Sequence, residues 1–251
     1  MNRFVRTEML FGKEGMARLK AARVAVVGLG GVGSYAVEAL ARAGIGHLRL
    51  VDFDDIKESN INRQLYALGS TVGRKKVEIA RERVMEINPD CEVEILPVFA
   101  DNETAASILR KPLDAVIDAI DSVGPKIQFL AASVAAEVFV VSSMGAATRS
   151  DPAAIRVADI AGTQICPLAR YIRTRLRKRG VETGVRCVYS IEPAADAGAE
   201  LHEDEAEETN AVNRGRKRKP LGSFSCLPGI FGLIAAREVI VRIAGYKPKR
   251  D

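Results

Sequence analysis

The sequence has no tryptophan, only two histidines and only four cysteines in 251 residues. The histidines, His47 and His202, have no neighbour in the sequence that suggests general-base or metal-binding work. The cysteines stand at positions 91, 166, 187 and 226, and no two of them form a C-x-x-C pair. Structural zinc sites usually draw on such pairs, so we expect no zinc. Because the cysteine spacing matches no disulfide framework either, a reducing, cytoplasmic location is favoured.

Long hydrophobic runs are also missing. The segment Met1–Lys20 is charged and lacks the unbroken apolar stretch of a signal peptide. Near the other end, Leu227–Ala236 is interrupted by Pro228, Gly229 and Gly232, and it is too short to cross a bilayer. We therefore expect a protein without a membrane span, in which this last segment forms a buried helix.

The composition is that of a globular chain with a basic excess. Apolar residues make up 47% of the sequence, which suffices for one sizeable core with a smaller annex. The net charge is +5, which is compatible with a polyanionic partner.

Short apolar strands alternate with helical stretches through the first 150 residues. Strands are predicted at 23–28, 47–53, 92–98, 115–119 and 138–142, and helices at 34–43, 75–88 and 126–137. This alternation predicts a parallel sheet with helices on both faces. The fold class is therefore α/β, with a Rossmann-like, mostly parallel sheet extended by a smaller C-terminal α+β portion.

The pattern changes after Ser150, so we predict a Rossmann-like domain over residues 1–150 and a C-terminal extension over 151–251. The extension contains predicted strands at 155–159 and 187–191, a basic helix at 167–179 and a C-terminal helix at 228–244. Between them, residues 194–219 carry almost no apolar side chains, which predicts a mobile loop.

A glycine cluster, G-L-G-G-V-G from position 28, joins the first predicted strand to the first predicted helix. It fits the pattern G-x-G-x-x-G: Gly28 permits a tight turn, Gly30 lets the backbone approach a phosphate, and Gly33 lets the helix pack on the strand. Gly31 completes the loop. Asp52, after the second strand, can accept hydrogen bonds from ribose hydroxyls. The alternative is a glycine turn that binds nothing.

Cations downstream of this loop separate triphosphate chemistry from hydride transfer. A nicotinamide enzyme has little need of cations beside the ribose, whereas a nucleoside triphosphate carries several negative charges. Arg63 and Lys76 are suited to those oxygens, and Asp121, after the fourth strand, is suited to hold Mg²⁺ against them. Singly, each has a simpler reading: Arg63 and Lys76 as surface charges, Asp121 as a helix N-cap, Asn60 as a turn former.

The residues from Arg3 to Gly145 resemble the ThiF/MoeB superfamily, whose fold ubiquitin-activating enzymes share. The resemblance rests on R-F-V-R at 3–6, the glycine loop, D-F-D at 52–54, S-N-I-N-R-Q at 59–64, G-R-K-K-V at 73–77 and D-A-I-D at 118–121. It implies an ATP site for adenylation. The implied residues are Asp52 for ribose with Asp54 in the same motif, Asn60, Arg63, Gln64 and Lys76 for phosphates, Asp121 for magnesium, and Arg6, which reaches into the partner's site of a homodimer.

The second half of the chain resembles one branch of this superfamily, the tRNA threonylcarbamoyladenosine dehydratases. The matching stretches are S-M-G-A at 143–146, C-P-L-A at 166–169, V-R-C-V-Y-S-I-E at 185–192 and residues 222–232. The resemblance implies ATP-dependent cyclisation of the modified nucleoside in tRNA through an acyl-adenylate. The alternative is adenylation of the C-terminus of a sulfur-carrier or ubiquitin-like protein. A nucleotide-binding regulatory module and an NAD(P) oxidoreductase are more distant alternatives.

Two further features bear on partners. The basic helix carries Arg170, Arg173 and Arg177 at helical spacing on one face, which favours RNA phosphates over a merely solvated surface once the resemblance is considered. Cys187 and Cys226 are candidates for a thioester or for sulfur accepted from a cysteine desulfurase system, or else they are small packed residues.

Overall fold

We describe a computed structural model of the chain, in which residues 3–193 and 221–247 can be described. The strands are β1 (Arg23–Val27), β2 (His47–Val51), β3 (Glu92–Leu96), β4 (Ala115–Asp118), β5 (Phe139–Ser143), β6 (Ile155–Asp159) and β7 (Val185–Ser190). The helices are α1 (Val5–Ala21), α2 (Gly33–Ala43), α3 (Lys76–Ile87), α4 (Ala105–Ile108), α5 (Val123–Ala135), α6 (Pro167–Arg177) and α7 (Cys226–Ala244). The loop predicted at 194–219, with His202, lies outside the described residues.

The strands form one sheet in the order β3-β2-β1-β4-β5-β7-β6. All neighbouring strands are parallel except β6 and β7, which are antiparallel. The predicted α/β class and the mostly parallel sheet are therefore confirmed. Every predicted strand and helix is present within a few residues of its predicted ends, whereas α1 and α4 were not predicted.

Helices cover both faces of the sheet because its central strands are apolar on both sides. Along β1, Val24 and Val26 enter the core beneath α1, α2, α3 and α7, and Ala25 and Val27 enter the core beneath α5 and α6. Burying each such valine is worth about 1.5–3 kcal/mol relative to exposure. Parallel strands buried on both faces read as continuous apolar runs, which is why these strands were readable from sequence.

The C-terminal portion completes the same sheet. Strands β6 and β7 extend it beyond β5, while α7 packs against α2 and closes the core on that face. The division of the chain near residue 150 stays a prediction. Within residues 3–193 and 221–247, no helix has both the length and the apolar character needed to cross a membrane.

Helix α1 escaped prediction because it is interrupted and largely exposed. Gly12, with φ +73° and ψ 170°, breaks it into two segments, and only Gly15, Met16 and Leu19 are buried. The second segment is fixed to α7 by Arg18, whose guanidinium donates to the carbonyl oxygens at the end of that helix.

Candidate active site

The strand order reverses at β1, which creates a crevice at the carboxyl edge of the sheet. The chain runs outwards from β1 through β2 and β3, and then returns to place β4 on the other side of β1. Ligands of open α/β sheets bind at such a switch point. Residues 28–33, 52–54 and 119–122 follow β1, β2 and β4. Three predicted site segments therefore emerge side by side at this edge.

The glycine loop has the geometry that its spacing predicts. Gly28 has φ +89°, and a Cβ atom added there would lie 2.6 Å from the carbonyl oxygen of Ala119. A Cβ atom on Gly33 would collide with the carbonyl oxygen of Gly28. The loop is thus a tight turn in contact with the turn after β4, and it leads into the N-terminus of α2. Such a helix start offers N–H groups and a partial positive charge to anions.

Asp52 fastens the glycine loop to the end of β2. Its Oδ2 accepts a hydrogen bond from the backbone N–H of Leu29 at 2.6 Å, and its Oδ1 accepts one from Asp54 at 2.9 Å. Lys76, at the start of α3, places Nζ 2.8 Å from Asp54 Oδ2 and 3.8 Å from Asp52 Oδ2. The lysine side chain is only 6% exposed. A buried cation therefore stands beside the carboxylate that holds the loop.

Burial raises the pKa of the Asp52 carboxyl above its ordinary value. The positive charge of Lys76 and the two backbone N–H donors oppose this rise without cancelling it. Protonation of Asp52 would remove an acceptor that faces the glycine loop, so the site is sensitive to acid at this residue.

The segment S-N-I-N-R-Q lies against the glycine loop. Asn60 is buried; its Oδ1 accepts from the N–H of Lys57, and its carbonyl accepts from the N–H groups of Arg63 and Gln64. A Cβ atom on Gly30 would lie 3.7 Å from Gln64 Nε2, and one on Gly31 would lie 3.4 Å from Arg63 Cγ. Asn60 thus shapes the turn that brings Arg63 and Gln64 to the loop.

The guanidinium of Arg63 is held locally by its own segment. Its Nη1 donates to the carbonyl oxygen of Ser59 at 2.9 Å and to Asn62 Oδ1 at 2.8 Å. The side chain is only partly buried.

Behind the turn that carries Asp121 lies a buried ion pair. Lys126 Nζ is 2.7 Å from Asp118 Oδ2, with the two side chains 1% and 0% exposed. Asp121 itself is exposed, and Ser122 Oγ lies 3.4 Å from its Oδ1. We did not predict a site role for Lys126 or Asp118. The available signal was a lysine among the apolar residues of α5, next to the D-A-I-D motif.

Arg6 is not part of this crevice within its own chain. It is exposed and lines a groove of about 400 Å³ together with Ala39, Ala43 and Leu233. Ala39 and Ala43 lie in the C-terminal half of α2, roughly 9–15 Å along the helix from Gly33, at 1.5 Å per residue. Arg6 therefore lies apart from the glycine loop, whereas Asp52, Arg63 and Gln64 lie against it.

The predicted arginine stripe of α6 is not uniform. Arg170 and Arg177 are exposed, whereas Arg173 is half-buried. Its Nη1 donates to the carbonyl oxygens of Ile160 and Thr163 and to the Thr163 hydroxyl. The spacing predicted one face for the three arginines, but in the structure Arg173 fastens α6 to the preceding loop.

The cysteines differ in access. Cys187 is fully buried in β7, and burial raises the pKa of its thiol, so it stays protonated and packed at neutral pH. Cys91 and Cys166 are also buried, and Cys226, at the start of α7, is exposed. Within residues 3–193 and 221–247, no group of three or more His, Cys, Asp or Glu side chains is arranged to hold a metal ion.

Known proteins match this chain over almost its whole length. The ThiF family matches residues 4–251. The tRNA threonylcarbamoyladenosine dehydratase of Bacillus subtilis is 41% identical over 245 residues, which cover 96% of this chain and 94% of the relative. The Escherichia coli enzyme of the same name is 41% identical over 197 residues, covering 76% of this chain and 74% of the relative.

A solved structure agrees with the sequence relatives. The crystal structure of E. coli tRNA N6-threonylcarbamoyladenosine dehydratase, TcdA, in complex with ATP has a TM-score of 0.83 and 34% identity to this chain. The alignment covers 97% of this chain and 94% of that one. The family match covers nearly the whole chain, a relative is 41% identical over 96% of it, and the fold is shared with a solved structure. The chain therefore belongs to the ThiF family.

Proposed function

We propose that the protein is an ATP-dependent tRNA threonylcarbamoyladenosine dehydratase. The observation that carries the proposal is a set of contacts at the carboxyl edge of the sheet: Asp52 holds the glycine loop, Lys76 lies beside Asp52, and Arg63 and Gln64 lie against the loop. Relatives that carry this name match the chain over nearly its whole length, and the related E. coli enzyme has been crystallised with ATP and with AMP.

The proposed reaction needs an activated carboxylate. The carboxylate of the threonylcarbamoyl group attacks the α-phosphorus of ATP and displaces pyrophosphate, which forms an acyl-adenylate. The neighbouring carbamoyl group then attacks the acyl carbon, a ring closes, and AMP leaves with one former carboxylate oxygen. A proton is released on ring closure, so the nucleoside loses one water overall. The nucleophile is intramolecular, which gives it a high effective concentration without a protein nucleophile.

The residues of the crevice supply binding and charge stabilisation. The start of α2 faces the phosphates, the Asp52 carboxylate accepts from the ribose hydroxyls, and Lys76 and Arg63 stabilise the charge that develops on the leaving pyrophosphate. Lys76 already has Asp54 as a partner, so the cation is held in place before nucleotide binds. Arg63 can use further N–H groups of its fork, or exchange its bonds to Ser59 and Asn62.

Magnesium is part of the proposal, with Asp121 as its protein ligand. Mg²⁺ prefers oxygen ligands and is commonly held by one or two carboxylates together with substrate phosphates. An exposed carboxylate on the turn that touches Gly28 fits this chemistry. When bound, the ion would neutralise phosphate charge.

A homodimer completes the proposed site. Arg6 lies beside the C-terminal half of α2, away from its own glycine loop. The same segment of α1 exposes Val5, Met9 and Leu10, of which Met9 is 80% exposed. A second copy would cover these apolar side chains and receive Arg6 at its own phosphates.

Transfer RNA is the proposed macromolecular partner, and the cytoplasm is the proposed location. Arg170 and Arg177 are exposed on α6, and RNA phosphates are natural ligands for such side chains.

The proposal is tested by AMP release. Wild-type protein, ATP and Mg²⁺ should release AMP only when tRNA bearing the threonylcarbamoyl group is added, and Arg63→Ala and Asp121→Ala should abolish release while retaining native circular dichroism. AMP release that instead required a small carrier protein would overturn the proposed substrate. Full activity of either variant would overturn its assignment.

A further inference from the structure

Lys126 is buried far more completely than a lysine in an α/β protein usually is. Its Nζ lies 2.7 Å from Asp118 Oδ2, and the two side chains are 1% and 0% exposed. Ser142, on the neighbouring strand β5, donates from Oγ to Asp118 Oδ2 at 2.6 Å. The three polar groups thus form a closed network beneath the carboxyl ends of β4 and β5.

This network binds both backbone polar groups of Ile120, in the turn after β4. The backbone N–H of Ile120 donates to Asp118 Oδ1 at 3.0 Å, and the carbonyl oxygen of Ile120 accepts from Lys126 Nζ at 3.1 Å. The carbonyl of Ile120 belongs to the peptide bond that leads into Asp121. Its orientation is therefore set by a lysine that itself stays out of the crevice.

The same turn is pressed against the glycine loop. The N–H of Ala119 donates to the carbonyl oxygen of Val27 at 2.8 Å, and the Ala119 carbonyl leaves no room for a side chain at Gly28. The turn between Asp118 and Asp121, after β4, is thus in direct contact with the start of the glycine loop. A shift of this turn would move Asp121 relative to the loop.

Stability alone gives a weak reason for charges at this depth. The desolvation of two buried ions can exceed their attraction, and a well-packed apolar pair often does as well or better. An apolar pair would pack α5 on β4, yet it could not hold the N–H and the carbonyl of Ile120. The charges are thus suited to fixing the turn.

We propose that Lys126, acting with Asp118 and Ser142, is a positioning residue that fixes the peptide before Asp121 and so aims the Asp121 carboxylate at the metal and phosphates of bound ATP. The inference rests on the proposed function, because it takes Asp121 as the magnesium ligand. Lys126 touches neither nucleotide nor metal, and it acts through the backbone of Ile120.

The test compares ATP affinity with Mg²⁺ and with EDTA, measured by calorimetry without tRNA. The proteins are wild type, Lys126→Met, Asp121→Ala and the double variant. We expect Mg²⁺ to tighten ATP binding to the wild type, and each single variant to lose most of that gain while binding in EDTA stays within about two-fold. The double variant should lose no more of the Mg²⁺-dependent gain in ATP affinity than either single variant, as expected for residues that act through one another.

Two matched variants separate positioning from folding. Asp118→Asn/Lys126→Met removes both charges together, leaves no unpaired ion, and replaces Lys126→Met in the comparison if that variant does not fold. Ser133→Ala removes a buried hydroxyl of α5 that lies away from the turn and donates to the Phe129 carbonyl. It should leave the effect of Mg²⁺ on ATP binding unchanged.

Each result has a distinct meaning. A wild type that binds no ATP would overturn the proposed function. An Asp121→Ala variant with an intact Mg²⁺ effect would overturn the metal assignment and this inference with it. If Asp121→Ala loses the effect while Lys126→Met and Asp118→Asn/Lys126→Met keep it, or if the losses multiply in the double variant, the positioning role alone is wrong.

Discussion

The Asp52 carboxylate has two tasks, and both need its negative charge. It holds the N–H groups of Leu29 and Asp54, and in the proposed function it also accepts from the ribose. Burial raises its pKa, so the charge needed for both tasks is held against a desolvation cost. The positive charge of Lys76, 3.8 Å away, offsets part of that cost.

We predict that nucleotide affinity falls on acidification at a pH above the ordinary pKa of an aspartate. A raised folded pKa favours the folded chain at low pH, and this contribution is lost as the pH rises through that pKa, so protonating Asp52 weakens binding without unfolding the protein through this residue. Asp52→Asn should bind AMP more weakly than wild type at pH 7, with a flatter acid dependence. Titration of AMP affinity on both proteins provides the check, because ligand protonation is common to them. Identical acid profiles would contradict the role of Asp52.

At Gly33, we predict that a single methyl group disables the site. Gly33→Ala would force the start of α2 away from the Gly28 carbonyl, and overpacking of this kind costs about 1–3 kcal/mol of stability. We expect a lower melting temperature and the loss of ATP binding. Gly124→Ala is the matched control, since nothing lies within 4 Å of the added atom. Wild-type ATP affinity in Gly33→Ala would show that the loop tolerates the shift.

At the scale of elements, α6 has two separate roles for its arginines. Arg173 is committed to the carbonyl oxygens of Ile160 and Thr163, whereas Arg170 and Arg177 point to solvent. A charged helix face can therefore contain both structural and ligand-binding arginines, and helical spacing alone does not separate them.

We predict that Arg170→Ala/Arg177→Ala raises the KM for tRNA and leaves the KM for ATP unchanged. Each lost phosphate contact should reduce the salt dependence of log KM by roughly 1 unit of slope. Arg81→Ala/Arg110→Ala removes the same charge from exposed positions on α3 and after α4, and it serves as the control. Equal KM values for both double variants across a salt series would exclude α6 as the RNA surface.

How much of the fold and the site was predictable follows from how local each signal is. Short stretches of sequence predict the glycine loop, Asp52 and the strands, because turn geometry and burial on both faces depend on neighbouring residues. Asn60 could be read either as a turn former or as a site residue, and the structure shows the first of these. Lys126 escaped because its partners come from β4, β5 and the turn, and only tertiary packing brings them together.

In the proposed function, two chains complete one site of the whole molecule. Arg6 stands beside the far end of α2, on a segment of α1 whose apolar side chains face outward. The resemblance implied that Arg6 reaches into a partner's site, but the position of Arg6 beside α2 depends on tertiary packing and was not predicted from the sequence.

Mixing two inactive variants tests this shared site. Arg6→Ala and Asp121→Ala should each be inactive as homodimers. After subunit exchange, an equal mixture should regain about a quarter of the wild-type activity, because half of the dimers then hold one intact site. Size-exclusion chromatography with light scattering would confirm the dimers. A mixture that stays inactive although exchange has occurred would show that Arg6 acts within its own chain.

In the proposed function, this crevice uses ATP to close a ring on a tRNA nucleoside. Its most direct test is mass spectrometry of nucleosides from threonylcarbamoylated tRNA after incubation with the protein, ATP and Mg²⁺. We expect the modified nucleoside to lose the mass of one water, with one AMP released for each nucleoside converted. An unchanged nucleoside mass, with ATP bound and tRNA intact, would contradict it.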